Sequence, residues 1–486
     1  MSRTSAIRVI WWLAGLVFAL NVLAIVQVLR TASDPSNNYA PNYVPTALTA
    51  LAVFIPIFGS AALIKRFDLE VSKALAWLVG AVSLGFALVP WLFLTFGNPD
   101  TAGLLYRGLR IPQGTERFWD LALVMRSIDC SAVGVDVFAE NNGCLQDPAI
   151  YGPGMLWLQH VPFGIFSFSH VLVLGVLMMV ISSAALLWLA RHSGGIGQVV
   201  LLLAALGAPW LLLLERGNVD VVLIWVAVLG VIIVRRWPSL ISWSVLAALI
   251  WLMGTWKYYP FAMGLMLVPL LWIRRGWIVL AAWVIAAGGF VLLTWTNFRF
   301  STQSNANMTD VGDFVVLGRV PVVARMLHAE FPTHGAQTGD VLIVLLALAA
   351  LAWGAVIGLG LVRRSGSVGV HLPMLAAAGS AVFLASVLVA GFGYAYKAAF
   401  LLLCVPLLAS LVNKLGRQYV FAGIAMLALV GVCSIVVWNT LLASLAGITA
   451  ASFALGLSLL LMLWRSSDDT DLRPMTPVPL GATTAD

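Results

Sequence analysis

Long apolar runs, each about the length of a bilayer-crossing helix, recur through the chain and leave it few ways to fold. A spanning helix needs about 20 apolar residues, and by that criterion roughly fourteen runs qualify. They begin near residues 9, 46, 74, 168, 197, 219, 239, 260, 277, 341, 373, 398, 419 and 443. Several are short, so neighbouring pairs can be half-helices of one span. Charged residues make up only 10% of the 486, against roughly 25% in a soluble domain. A surface with so little charge must face lipid.

The basic residues order these runs. Lys65/Arg66, Arg191, Arg235/Arg236, Arg274/Arg275, Arg363/Arg364, Lys414/Arg417 and Arg465 fall in every second connection, on the side of Arg3 and Arg8. Arg30, at the other end of the first run, is a mild exception. The positive-inside rule makes the basic side cytoplasmic. The chain is therefore expected to be a multi-pass protein of the plasma (inner) membrane with both termini in the cytoplasm. The formal charge of +7 is explained by this orientation, and nucleic acid is not an expected partner. Residues 9–29 follow two arginines but no small-residue cleavage site comes after them, so they read as a first span or signal anchor. The expected fold is all-α and polytopic, with about 12–14 transmembrane helices. Residues 1–464 form a single transmembrane domain, and the Asp-, Thr- and Pro-rich residues 465–486 form a disordered cytoplasmic tail.

The polar chemistry gathers on the opposite, outer side. That side carries two long connections, about 97–161 and 297–340, and polar turns near 215–220, 254–260 and 391–397. Loops held by a rigid scaffold tend to carry function. In the first loop, 118–128 reads as a helix lying along the membrane, with Asp120 in its first turn near Arg117. An acid there can simply complement the positive end of the helix dipole, or it can be chemical. Residues 134–138 read as a turn. Tyr151–Gly152–Pro153–Gly154 reads as a tight turn into a second interfacial helix at Met155 to Trp157. Cys130 and Cys144 sit in this loop on the expected oxidising side, where a structural disulfide is plausible and two free thiols are the alternative.

Glu215–Arg216–Gly217–Asn218–Val219–Asp220 places three ionisable groups in one turn between apolar runs. Such groups are expensive in a membrane unless paired or wetted. They read either as an interfacial cap with an internal ion pair or as a polar floor beneath a head-group site that includes Asn218 and Asp220. Lys257, in Trp256–Lys257–Tyr258–Tyr259–Pro260, runs against the positive-inside pattern, and Tyr394–Ala395–Tyr396–Lys397 repeats tyrosines beside an outward lysine. Either lysine can snorkel to the interface. Together with Arg216 they can also form an anion-binding rim suited to a polyprenyl phosphate whose tail stays in the bilayer. The aromatics Trp119, Tyr151, Trp256, Tyr258 and Tyr259 suit either sugar stacking or interfacial anchoring.

The second loop holds Asn297, Arg299, Asp310, Asp313, Arg319, Arg325, His328, Glu330 and His334, with 314–329 read as an interfacial helix. His328 and His334 are too far apart for a one-turn metal pair, and no Walker loop, GxGxxG or zinc signature occurs. ATP-driven transport by this chain alone is not expected.

An outer-loop aspartate, then Gly134-Val135-Asp136-Val137-Phe138, then Tyr151-Gly152-Pro153, resembles the first outer loop of the GT-C membrane glycosyltransferases. The resemblance is to family 87, whose members use polyprenol-phosphate-mannose. Gly217–Asn218 followed by Lys257–Tyr258–Tyr259–Pro260, and the later Tyr396–Lys397, resemble further motifs of that family. The resemblance covers residues 110–410. The family usually places this loop after the first span, whereas three candidate runs precede it here. The resemblance implies a GT-C-like bundle and an inverting transferase. Asp120 would be the general base, with Asp136 as runner-up. Lys257, Arg216 and Lys397 would bind the donor phosphate, and Asn218, Asp220, Tyr151, Tyr258 and Tyr396 would bind substrate. A hexose or pentose, mannose first, would pass to a lipid or glycan acceptor on the periplasmic or extracellular side. No cofactor is implied, and a divalent metal, which some relatives use, is not expected. The alternatives are a transporter or flippase of lipid-linked glycans, a polysaccharide polymerase or ligase, and a structural membrane subunit. A transporter needs polar residues at broken helices near the midplane, and the apolar runs here are poor in them.

Overall fold

The computed structural model describes residues 71–96, 118–139, 142–145, 149, 151–205, 207–299, 316–318, 334–365, 369–389, 392–415 and 440–465. The runs beginning near 9, 46 and 419, the tail from 466 and most of the second loop lie outside them.

Each of the other runs falls on apolar helix. The α-helices are α1 (Val71–Phe96), α2 (Trp119–Ala132), α3 (Val171–Arg191), α4 (Gly194–Ala205), α5 (Ala208–Glu215) and α6 (Asp220–Arg236). They continue as α7 (Leu240–Trp256), α8 (Gly276–Leu293), α9 (His334–Ser365), α10 (His371–Leu384), α11 (Val405–Leu415) and α12 (Thr440–Arg465). Among the described residues, five helices are long and apolar enough to cross a membrane, or six if the bent pair α5 and α6 counts as one span. On α8 only Gly276 and Ala287 are buried, and Leu292 and Leu293 are 74% and 88% exposed. An apolar helix with bare apolar flanks belongs in lipid, and the fold is consistent with an all-α, polytopic membrane protein.

Among the described residues, fewer helices reach span length than there are apolar runs, because several runs are broken or wound differently. The run from 197 is split between α4 and α5, where Pro209 opens the second piece. The run near 260 is a 3-10 helix, Tyr259–Trp272, with Pro269 inside it, and Ala395–Cys404 is wound the same way before α11. A proline removes a backbone donor and disfavours the α-helical ladder. A 3-10 helix rises about 2.0 Å per residue, so the 14 residues of Tyr259–Trp272 reach about 28 Å. That run reaches nearly the thickness of a bilayer core in fewer residues than an α-helix needs.

Without a hydrophobic drive between helices in lipid, small residues and polar contacts hold bundles together. α9 and α12 pack where a Cβ on Gly354 would lie 2.1 Å from the Phe453 carbonyl oxygen, and one on Gly456 would lie 2.0 Å from that of Leu351. Trp210 of α5 donates its indole N–H to Ser83 of α1 at 2.8 Å, and Ser83 meets Ser183 of α3 at 3.0 Å. Trp225 of α6 donates to Ser182 of α3 at 3.1 Å.

The second loop departs from expectation. Val316, Leu317 and Gly318 are extended, forming β1 (Val316–Gly318), which pairs antiparallel with β2 (Phe392–Tyr394), Val316 opposite Tyr394. The interfacial helix expected over 314–329 is corrected at these positions. A β-branched residue followed shortly by glycine is a poor helix, and the ladder satisfies its backbone groups instead. At the loop's far end, α9 begins at His334, inside the expected connection. In the first loop, helix 118–128 is confirmed and extended to Ala132, and the segment after Tyr151 is a 3-10 helix, Pro153–His160.

Candidate active site

Asp120 is positioned by an unusual helix start. Phe118, which precedes α2, cannot cap it with a side chain and takes the left-handed conformation, φ 51°. Its ring is buried against Gly175, where a Cβ would come within 2.4 Å of it. The orphan donors of the first turn go to another segment. The backbone N–H groups of Asp120 and Leu121 both donate to the Arg216 carbonyl, at 3.0 and 3.3 Å. That carbonyl is presented by the α5–α6 turn, where the two helices are bent by 105°. Gly217 makes the turn possible. Its φ is +56°, and a Cβ would lie 3.0 Å from Leu121 Cβ and 3.1 Å from Phe118 Cβ. A side chain there would meet both a disfavoured backbone conformation and the two residues flanking Asp120.

The same turn supplies the side chains around the carboxylate. Arg216 Nε lies 3.3 Å from Asp120 Oδ1, and the Asn218 amide N–H donates to Asp120 Oδ2. Asn218 also faces the other way. Its Oδ1 accepts the Asp220 backbone N–H at 2.9 Å and the Lys257 ammonium at 3.3 Å. With donors on one side and an acceptor on the other, the amide has one workable orientation. Lys257 completes the chain with a 2.6 Å ion pair to Asp220 Oδ1. Asp220 starts α6 and Lys257 follows the end of α7, so each charge complements the dipole of its helix.

Lys257 is held there by the Tyr-Gly-Pro-Gly turn. The Gly152 N–H donates to the Trp256 carbonyl at 2.6 Å. A Cβ on Gly152 would lie 2.2 Å from the Thr255 carbonyl oxygen, and one on Gly154 would lie 2.2 Å from Thr255 Oγ1. Only glycines let this turn sit on the end of α7. The contact brings the Tyr151 ring beneath the Lys257 ammonium at 4.9 Å. From the opposite flank, Lys397 lies 5.0 Å from the Tyr259 ring centre and donates to the Ser386 carbonyl at 3.4 Å. Ser386 belongs to a π-helical turn, Ala385–Val389, and such turns free carbonyls from the regular ladder and often mark functional sites. Tyr396 is buried in the same cluster, in the field of Asp120, Asp220 and Arg216.

Burial pushes the Asp120 carboxyl above its ordinary range, against the opposing pull of Arg216, Lys257 and the Asn218 hydrogen bond. A carboxylate that binds its proton more readily than usual, with one guanidinium beside it, is suited to taking a proton from a hydroxyl. Arg216, Lys257 and Lys397 offer positive charge to an anion within the same cluster.

The residues singled out from the sequence divide as follows. Asp120, Arg216, Asn218, Asp220, Lys257, Tyr151, Tyr396 and Lys397 converge. Tyr258 does not. It is directed at α8 and beyond, donating to the Thr294 carbonyl at 3.4 Å and meeting the Phe298 ring edge-on at 5.1 Å. Asp136 is exposed, and its carboxylate accepts the Phe138 N–H at 3.0 Å, serving a local turn. Cys130 and Cys144 are joined by a disulfide with a Cα–Cα distance of 6.1 Å. It closes a small lobe around Val137, Leu145 and Ala149 at the far end of α2. Two residues given only general readings from the sequence also lie in the cluster: Tyr259, read as a sugar-stacking or interfacial aromatic, and Glu215, one of the ionisable groups of the 215–220 turn, buried beside Arg216. Among the described residues no three His, Cys, Asp or Glu side chains group as metal ligands.

Fold and cluster together describe a helical, membrane-type protein with a buried charged site where α2, α6, α7 and the Ala395–Cys404 helix meet. Compared with protein-family models, with curated proteins and with solved structures, the chain matches none.

Proposed function

We propose that the chain is an inverting membrane glycosyltransferase that moves a sugar from a polyprenyl-phosphate donor to a lipid or glycan acceptor. The observation that carries this reading is the buried Asp120 carboxylate, held by Arg216 and Asn218 beside the Asp220–Lys257 pair. The short motifs shared with the GT-C glycosyltransferases of family 87 point the same way, and mannose heads the list of sugars on that ground. In the reaction, Asp120 takes the proton of the acceptor hydroxyl, whose oxygen attacks the anomeric carbon. The bond from that carbon to the phosphate oxygen breaks, and its electron pair leaves with the polyprenyl phosphate. Asp120 and Arg216 are coupled in this step. As the carboxylate is protonated, its hold on the guanidinium is lost while negative charge grows on the leaving phosphate. Arg216, Lys257 and Lys397 stabilise that charge in a water-poor site, where such contacts are strongest. The alternation of basic clusters supports a site on the periplasmic or extracellular face of the plasma membrane, with both termini in the cytoplasm.

The test is sugar transfer by the purified protein in detergent, with a panel of polyprenyl-phosphate sugars and a membrane-lipid acceptor extract, wild type beside Asp120→Asn. Release of polyprenyl phosphate by wild type and none by a folded variant is expected, in buffer with chelator as well as without. An active Asp120→Asn would remove Asp120 as the base.

One observation favours a second reading. The helix break between α5 and α6 and the π-helical turn beside Lys397 are discontinuities of the kind that build transporter sites. A flippase of lipid-linked glycans would move such a lipid across proteoliposomes and transfer no sugar.

A further inference from the structure

The polar atoms buried in the cluster with an unused hydrogen-bonding valence among the described residues include Oε2 of Glu215, Oδ2 of Asp220 and the hydroxyl of Tyr259, and the last two belong to neighbouring side chains. Native interiors rarely leave such atoms idle, and each one asks for a reason. Asp220 is fully buried, and its other oxygen is taken by the Lys257 ammonium. Oδ2 makes no full hydrogen bond among the described residues. The Tyr259 hydroxyl lies beside Asp220, close enough for a marginal hydrogen bond to its carboxylate, but the pair does not reach full hydrogen-bond geometry. Both lysines lie near the tyrosine ring, Lys397 at 5.0 Å and Lys257 at 5.8 Å from its centre.

An ionised carboxylate oxygen only accepts, and a phenol both donates and accepts. Side by side, they complement two neighbouring hydroxyl groups. A phosphate oxygen does not fit against Oδ2, because like charges repel. A single bridging water would also satisfy both atoms.

We propose that Asp220 Oδ2 and the Tyr259 hydroxyl read adjacent hydroxyls of the transferred sugar and so determine which sugar the site takes. This rests on the glycosyltransferase reading. Asp220 accepts from one hydroxyl and Tyr259 bonds the next. The neighbouring cations, Lys257, Lys397 and Arg216, are left to the phosphate. Sites built to hydrogen-bond a substrate hydroxyl discriminate strongly against analogues lacking it, because the site's own polar groups are then stranded.

The experiment measures binding of two probes to the full chain in detergent: polyprenyl phosphate alone, and polyprenyl phosphate carrying mannose, glucose, galactose or arabinose. Wild type is compared with Tyr259→Phe, which keeps the ring near the two lysines and removes only the hydroxyl. Wild type is expected to bind one sugar-bearing lipid at least about tenfold more tightly than the bare lipid. Tyr259→Phe should bind the bare lipid as wild type does and lose most of that increment. A donor with the recognised hydroxyl deleted should lose the increment with wild type and little more with the variant. The proposal is overturned if Tyr259→Phe keeps the full increment, which leaves the two atoms to a water. Equal weakening of bare and sugar-bearing lipids overturns it too, since Tyr259 is then structural. If wild type binds polyprenyl phosphate but gains nothing from any sugar, the inference fails while the lipid-phosphate site stands. If wild type binds no polyprenyl phosphate at all, the transferase reading itself fails.

Discussion

Replacing Lys257 with methionine isolates the pair that closes the site. The substitution keeps an unbranched side chain of similar length and removes the ammonium. It deletes the 2.6 Å contact to Asp220 and the 3.3 Å contact to Asn218. The second loss is minor, because Asn218 Oδ1 keeps the Asp220 backbone N–H at 2.9 Å. The first is severe, since Asp220 is fully buried and the substitution strands its charge. Removing one partner of a buried ion pair costs about 3–5 kcal/mol. The Lys257 side chain is 15% exposed, so solvent screening places the expected loss at the lower end, about 3 kcal/mol. The double variant Asp220→Leu/Lys257→Met strands no charge and should fall within about 1–2 kcal/mol of wild type, a coupling of about 1–2 kcal/mol or more. Reversible unfolding in mixed detergent micelles gives all three free energies. A double variant no more stable than Lys257→Met alone would refute the argument, because the cost would then come from packing and not from a stranded charge.

Transfer activity should rise with pH through a midpoint above the ordinary aspartate range, because the base form of Asp120 is the active one and burial raises its pKa. By linkage, the same shift should make the fold lose stability as pH climbs from the ordinary carboxylate value through the raised one, and a midpoint near that ordinary value would count against Asp120 as the buried base. Gly152→Ala drives a Cβ to 2.2 Å from the Thr255 carbonyl oxygen, which should cost about 1–3 kcal/mol as overpacking. Displacing Lys257 in this way should cut transfer by about 100-fold, the penalty typical of a 1 Å misplacement, with wild-type turnover as the contrary result. Cys130→Ser with Cys144→Ser opens a loop of 14 residues' separation, worth about 3 kcal/mol in the chain-entropy description. Protease sensitivity confined to 130–149 is the expected readout, and a transition unchanged under reducing conditions the opposing one.

Much of the cluster was legible because its residues stand out from the apolar runs around them. Lys257 and Lys397 each sit beside tyrosines in a short turn apart from the alternating basic clusters, and Arg216, Asn218 and Asp220 crowd one turn between apolar runs. Hydropathy detects such exceptions without knowing the fold. It cannot say which of two adjacent tyrosines turns inward. Tyr258 precedes the 3-10 helix and Tyr259 begins it, and successive residues in such a helix point about 120° apart. The winding itself was hidden for a related reason. A run that is apolar all round carries no periodicity, so α, 3-10 and π segments look alike. The strand at Val316–Gly318 was invisible because its partner lies across the molecule at Phe392–Tyr394. Asp136 is the runner-up to Asp120 among the outer-loop acids of the sequence. What separates them is the Arg216 carbonyl that receives the start of α2 and draws Asp120 alone into the interior.

The small β-ladder gives the second loop mechanical leverage over the site. Three register-fixed pairs bind Val316–Gly318 to Phe392–Tyr394, and Lys397 follows Tyr394 by three residues, a reach of about 10 Å even when fully extended. A pull on the loop is therefore felt at the ammonium with little slack. Cutting or lengthening the chain between Tyr394 and Tyr396 would let the loop move without the lysine, whereas a cut elsewhere in the loop would leave this tether intact. The paired strand Val316–Gly318 is thus a strut for the site.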